Sequence, residues 1–281
     1  IFDTFDQERY SVFDNSSGAP VSLSNDAFQY NNGGDDIKIT NLNISNADVN
    51  VTLIKSKVKS KVKEYVRSSK LTVNKSRNPI SGSVAAGNGG SISDGLVFDK
   101  RYGLRVQDEE ISLNYPDVVK FLSVYESTNT SAPTLDQLLF SSSANVSSNS
   151  IIGENIIGVD SRIIARIVDK PDGLGSNKLD IVYLSSGKFS AGDKVKFEES
   201  NIETTIQSIT IGNYKNITNS FSLDKGQKDE FYDYSRIVRS KNVPEPQGQL
   251  LIVFDYYSVS SDDGDVFTVN SYDEDRFSND I

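Results

Sequence analysis

Short β-branched or Leu-rich blocks recur along the chain, each bounded by clusters of Gly, Asn, Asp and Ser. Ile37–Ile44, Val49–Ile54, Leu71–Val73, Leu104–Val106 and Ile111–Leu113 are such blocks, and this grammar predicts strands joined by turns. Asn31-Asn32-Gly33-Gly34-Asp35-Asp36 predicts a turn, and Gly87-Asn88-Gly89-Gly90 predicts a loop tip. Val118–Tyr125 follows Pro116 and is apolar on both parities, so it reads as a buried strand. Only Thr134–Leu139, after Pro133, and Lys228–Tyr234 suit a short helical turn. Regular turn spacing with so little helix predicts a β-sandwich or barrel.

The stretch from Ile151 to Ile211 carries one pattern twice. Gly153-Glu154-Asn155-Ile156-Ile157-Gly158 precedes Ile163–Val168, and Gly192-Asp193-Lys194-Val195-Lys196-Phe197 precedes Thr204–Ile209. In each half a glycine-plus-acid turn launches a strand and a second apolar strand follows. Asp180–Leu184 and Lys188-Phe189 connect the halves, which predicts a small five- or six-stranded barrel or curled sheet. The fold expected is therefore all-β: a β-sandwich-like domain with an inserted small β-barrel module. Its first part covers residues 1–145, the module 146–212 and the closing part 213–281. In the closing part, Gln249–Tyr257 reads as a long apolar strand and Asp265–Ser271 as an alternating one. Ser260-Ser261-Asp262-Asp263-Gly264 between them predicts a hairpin.

Composition then narrows the chemistry. The 281 residues contain no His, Cys, Met or Trp. Losing histidine removes the side chain that titrates near neutrality and the commonest metal ligand. Losing cysteine removes thiolate nucleophiles, disulfides and cysteine-ligated metals. Neither the Walker spacing nor the dinucleotide glycine pattern occurs. Paired carboxylates for glycoside hydrolysis remain open, yet nothing selects two of the 39 acidic residues as a pair. The expectation is a non-enzyme without cofactors or metal. With no methionine and Ile1 first, the chain reads as a processed form or a segment of a longer polypeptide. No apolar run approaches the roughly 20 residues that cross a bilayer, so no membrane insertion is expected. The absence of cysteine fits a reducing cytoplasm, and equally a particle assembled there and released later.

Charge points to surfaces. The net charge of −10 argues against a general nucleic-acid footprint. Against that background Lys55, Lys57, Lys59, Lys61 and Lys63 recur at a spacing of two, with Val58 and Val62 between them. On a strand they would share one face, with the valines opposite. Such a face binds a polyanion or an acidic neighbour, or it protects an edge strand from unwanted pairing. No aromatic precedes Tyr65 in this run, which argues against a base-stacking platform. Asp262, Asp263 and Asp265 form an acidic turn without the ligand spacing of a calcium loop. Tyr256 and Tyr257 are strand tyrosines with the rings a sugar site would use. The opposite charges of the lysine face and the acidic hairpin imply head-to-tail self-association that weakens as salt rises.

A longer run carries a resemblance. Leu223-Asp224-Lys225-Gly226-Gln227-Lys228 continues through Tyr232-Asp233-Tyr234-Ser235-Arg236-Ile237-Val238-Arg239 to Pro244 and Pro246, then to Leu251-Ile252-Val253-Phe254-Asp255-Tyr256-Tyr257 and Gly264-Asp265-Val266-Phe267-Thr268-Val269-Asn270-Ser271-Tyr272. Together with Tyr102-Gly103-Leu104-Arg105-Val106-Gln107-Asp108-Glu109-Glu110-Ile111-Ser112-Leu113 and Val124-Tyr125-Glu126-Ser127, it resembles large virion structural proteins of T4-like myoviruses of marine cyanobacteria. These are usually described as baseplate or tail-fibre-like. The resemblance covers the chain from about Lys55 onward and brings no catalytic residues with it. It implies a virion tail component assembled in the host cytoplasm, whose partners are other tail or baseplate proteins and copies of itself. A carbohydrate or receptor-binding module facing a host-surface glycan is the alternative it leaves open.

Overall fold

The computed structural model describes residues 1–75, 103–141, 145–172, 176–228, 231–259 and 264–272. The loop tip expected at Gly87–Gly90, and Ser260–Asp263 of the expected hairpin turn, lie outside the described residues. The architecture is all-β, with several sheets and one closed six-stranded barrel. Two compact units make up the chain, one from Ile1–Val62 with Asp262–Ser271, the other from Lys63–Ser261 with Tyr272–Ile281. Among the described residues, no helix is long and apolar enough to cross a membrane.

The smaller unit holds β1 (Ser11–Asp14), β2 (Pro20–Val21), β3 (Phe28–Asn31), β4 (Asp36–Ile39) and β5 (Ala47–Asn50). β1 pairs with β2 and β5, while β3 and β4 form a separate ribbon, all antiparallel. Its core is small: the Phe5 and Phe28 rings stack at 4.2 Å and Tyr10 meets both edge-on. Edge-to-face rings are a favourable way to fill such a core, because a ring's positive edge meets the negative face of its neighbour.

The larger unit begins with β6 (Lys63–Val73), β7 (Glu110–Ser112) and β8 (Val118–Ser127). The barrel strands follow: β9 (Asp136–Phe140), β10 (Asn155–Gly158), β11 (Ile164–Asp169), β12 (Lys178–Tyr183), β13 (Lys194–Phe197) and β14 (Glu203–Thr210). Last come β15 (Tyr214–Asn216), β16 (Phe221–Asp224), β17 (Arg236–Arg239) and β18 (Leu250–Val259). One sheet runs β15-β8-β18-β6 and a second runs β16-β17-β7. They face each other across Val73, Ile111, Val124, Phe221, Ile237, Leu250, Ile252 and Phe254, which gives the sandwich.

Strand β18 is buried on both faces, as its unbroken apolar run requires. Leu250, Ile252 and Phe254 enter the sandwich core. Leu251 and Val253 point the other way, with Tyr125 of β8, onto Val168 and Val182 of the barrel. The barrel closes in the order β10-β11-β12-β9-β14-β13, with β13 returning to β10, and closure leaves it no free edge. Leu138, Phe140, Ile156, Ile167, Leu179, Ile181, Val195, Phe197 and Ile206 fill it.

Several local expectations are corrected. Thr134–Leu139 is not a helical turn. Asp136, Leu138 and Phe140 alternate inward as β9, so the barrel takes its first strand from ahead of residue 146. Leu104–Val106 forms no ladder strand: Arg105 makes a single parallel bridge to Lys75, and the chain turns from Val106, where the Asp108 carboxylate accepts from the Arg105 N–H at 2.9 Å. Asp265–Ser271 forms no strand against β18. Val266 makes a single parallel bridge to Ser60, and Val269–Ser271 is a 3-10 turn.

Candidate functional site

The lysine run is not a strand. Its backbone is irregular from Ile54 to Lys59, and Val58 is 58% exposed and Val62 49% exposed, so neither valine backs onto a core. The carboxylate of Asp265 explains the shape. It pairs with the Lys55 ammonium and accepts from the Lys59 N–H at 3.0 Å, while the Asp265 N–H donates to the Lys59 carbonyl at 2.8 Å. The Lys55 ammonium, then the Lys59 N–H, hold the Asp265 carboxyl below the usual carboxylate range. The acidic and basic segments predicted to join separate copies therefore meet within one chain. Lys61 lies over the Phe267 ring at 5.4 Å, and Lys57 is exposed. Asp262 and Asp263 lie outside the described residues.

Lys63 belongs to the larger unit and is only 8% exposed. Its ammonium pairs with Asp117, donates to the Tyr272 hydroxyl at 2.7 Å and lies over the Tyr272 ring at 4.4 Å. Burial alone would lower its pKa, but Asp117 and Tyr272 outweigh that and hold it charged. Tyr257 is buried between Tyr65 and Tyr272. Tyr256 is half-buried and packs on Tyr115 with ring centroids 3.9 Å apart. Burial and the Tyr115 hydroxyl push its phenol up to about 12.

Among the described residues, the buried carboxylates of the larger unit each accept from backbone N–H groups. Opposite a bulge where Arg67 and Ser68 face Asp255 alone, the Asp255 carboxylate accepts from the Ser68 N–H at 2.7 Å and the Tyr65 hydroxyl at 3.0 Å. Asp136 accepts from the Gly212 N–H and from Lys188, both at 2.8 Å, where the chain leaves the barrel. Glu154 accepts from the Glu199 and Ser200 N–H groups at 3.1 and 2.9 Å and closes the β13–β14 turn. A carboxylate with its lone pairs so occupied acts as a fastener. Among the described residues no group of three or more acidic side chains is arranged to hold a metal ion.

The ribbon of β16 and β17 carries what the pattern analysis missed. Of the segment expected to form a helical turn, Lys228 pairs with Phe231, and Tyr232 bridges Gln227, as the arms of this hairpin, and the rings face outward. Phe231, Tyr232 and Tyr234 are 53%, 63% and 49% exposed. The Asp233 N–H donates to the Gly226 carbonyl at 2.8 Å, and the Lys228 N–H donates to the Phe231 carbonyl at 3.0 Å, so the two arms are paired close to the tip. At its base Arg236, 2% exposed, donates to Asp224 at 2.9 Å and lies 3.4 Å from Glu110 and 3.6 Å from Asp233. The alternation of Phe221–Asp224, with Gly226 just after it and the β-branched pair Ile237-Val238 beyond, is the signal that marks this hairpin. No protein-family model, no curated protein and no solved structure matches the chain.

Proposed function

We propose that this chain is a non-catalytic structural segment of a phage virion, in the tail baseplate or tail-fibre region, and that it works by docking onto neighbouring subunits. The observation that carries this reading is the aromatic hairpin tip. Adjacent exposed rings on a stiff support are the residue types and the setting of interface hot spots, because a rigid ring buries much area at little entropic cost. The Arg236 cluster holds the base of the ribbon, and backbone pairing of Gly226 with Asp233 and of Lys228 with Phe231 carries the rings on it. The sequence resemblance to virion tail proteins supplies the setting. Docking then needs about 1,200 Å² or more of buried surface, which the tip would anchor rather than fill.

Cross-linking mass spectrometry of purified particles tests this. Lys225 and Lys228, which flank the tip, should cross-link to another subunit, and replacing Phe231 and Tyr232 with Ser should keep the chain out of particles. A chain absent from the particle, or incorporation unaffected by the double substitution, rejects the reading.

A further inference from the structure

The geometry points to a second surface, independent of the docking reading above: a cleft that takes one neutral sugar ring of a glycan. It encloses about 380 Å³ between β15, the 3-10 turn Thr218–Ser220 that follows it and the Val243–Gln247 connector into β18. That volume falls near the lower end of small-ligand sites, roughly 300–1,000 Å³.

The groups that build the cleft are distinct from the groups left over inside it. Thr218 is fixed by Oδ1 of the Asn216 side chain, which accepts from its N–H at 3.0 Å and its hydroxyl at 2.6 Å. The connector is stiffened by Pro244 and Pro246, whose φ is locked, and Arg239 donates to the Val243 carbonyl at 3.1 Å. One oxygen of Glu126 accepts from both the Gln247 and Gly248 N–H groups, at 2.5 and 3.0 Å. With the walls secured this way, the Lys215 ammonium, the Asn219 amide, the Ser220 hydroxyl and the second Glu126 oxygen have no partner among the described residues. All four residues line the cleft.

Those groups select the ligand class. A phosphate or carboxylate would gain one lysine and face Glu126 and Glu245. A bare cation would face Lys215. A flat apolar molecule would strip water from four polar groups and return no hydrogen bond. A ligand with several hydroxyls and no charge satisfies donors and acceptors together, and its C–H face can rest on the proline and Phe221 lining. A pyranose ring meets these terms.

Saturation-transfer NMR of the full chain with the methyl glycosides of glucose, galactose, mannose and N-acetylglucosamine tests the assignment. At least one sugar should receive saturation, and calorimetric titration should show Lys215→Ala and Asn219→Ala each weakening it about fivefold to tenfold, with the melting temperature unchanged. The Phe231→Ser/Tyr232→Ser variant should bind that sugar as the parent chain does. No transfer to any of the four sugars, binding indifferent to Lys215 and Asn219, or binding lost with the aromatic tip would each overturn the proposal. The last result would move the site to the docking surface.

Discussion

Arg166 Nη1 of barrel strand β11 donates to Asp255 Oδ2 of sandwich strand β18 at 2.8 Å, and both side chains are buried. Asp255 sits on the barrel-facing side of β18, in line with Leu251 and Val253, so the apolar seam between the modules ends in an ion pair. Arg67, beside Ser68 in the bulge, extends the joint by donating to the Gly153 carbonyl at 3.2 Å and pairing with Glu199. A seam of this kind restricts relative motion because an apolar face slides at little cost, whereas a buried charge cannot leave its partner.

Removing one member should therefore cost more than the pair itself contributes. Asp255→Ala leaves the Arg166 guanidinium buried with its main acceptor gone, and the expected loss is about 3–5 kcal/mol in urea unfolding. The Arg166→Met/Asp255→Leu double variant should recover only the part due to the stranded charge, because the Ser68 N–H and the Tyr65 hydroxyl still lose their acceptor. A single-variant loss below about 1 kcal/mol would mean that water reaches the joint.

The aromatic tip should depend on one glycine. Gly226 has φ +74°, and a Cβ there would meet the Asp233 carbonyl oxygen at 2.3 Å, which backbone pairing holds in place. Gly226→Ala is expected to destabilise the chain by about 1–3 kcal/mol and to weaken particle incorporation as the ring substitutions do. Wild-type stability together with normal incorporation would show that the tip conformation is not required for docking.

Acid should loosen the base of the same hairpin. Burial acts to raise the Asp224 carboxyl, but the Gly226 N–H and then the Arg236 guanidinium overcome it and hold the pKa below its ordinary 3.8. A depressed carboxyl contributes stability above the unfolded-state value, and that contribution disappears as pH falls through the folded-state value. Amide exchange at Gly226, corrected for its intrinsic pH dependence, should stay protected down to about pH 4 and lose protection below it. Equal protection in Asp224→Asn would remove the carboxylate from the account.

Alkali should act in the opposite sense on the Tyr115–Tyr256 pair. With the Tyr256 phenol raised from 10.0 to about 12, the folded state keeps a proton that the unfolded state gives up. Its contribution is complete below pH 10 and is lost as pH climbs towards 12. Carbon-13 tyrosine NMR should show Tyr256 titrating late, and Tyr115→Phe should bring it earlier by removing the hydrogen bond. A Tyr256 that ionises with the exposed tyrosines would contradict this packing.

Some of this architecture was legible in the chain itself. The doubled apolar parity of Val118–Tyr125 and of the Leu250 strand announced layers on both sides, because a residue facing water on either parity would have been polar. The repeated glycine-plus-acid launch announced a barrel, since Gly153 and Gly192 both take the positive φ that such a turn needs. The lysine spacing misled because period two defines a face only where a neighbouring strand holds the backbone extended. Here Asp265 captures Lys55 and bends the run instead. Asp136, Glu154 and Asp255 were also indistinguishable from surface acids, because sequence does not record which N–H groups a bulge or turn leaves without a partner.

Local pattern therefore determined the all-β class, the small barrel and the strands that would be buried on both faces. These follow from the alternation and turn chemistry of each segment taken alone. Tertiary structure decided which charges became internal fasteners, which rings the β16–β17 ribbon turned outward, and where a cleft opened between β15 and the proline connector. Each of those depends on pairing residues far apart in the chain, and no periodicity along a single strand encodes the partner across the fold.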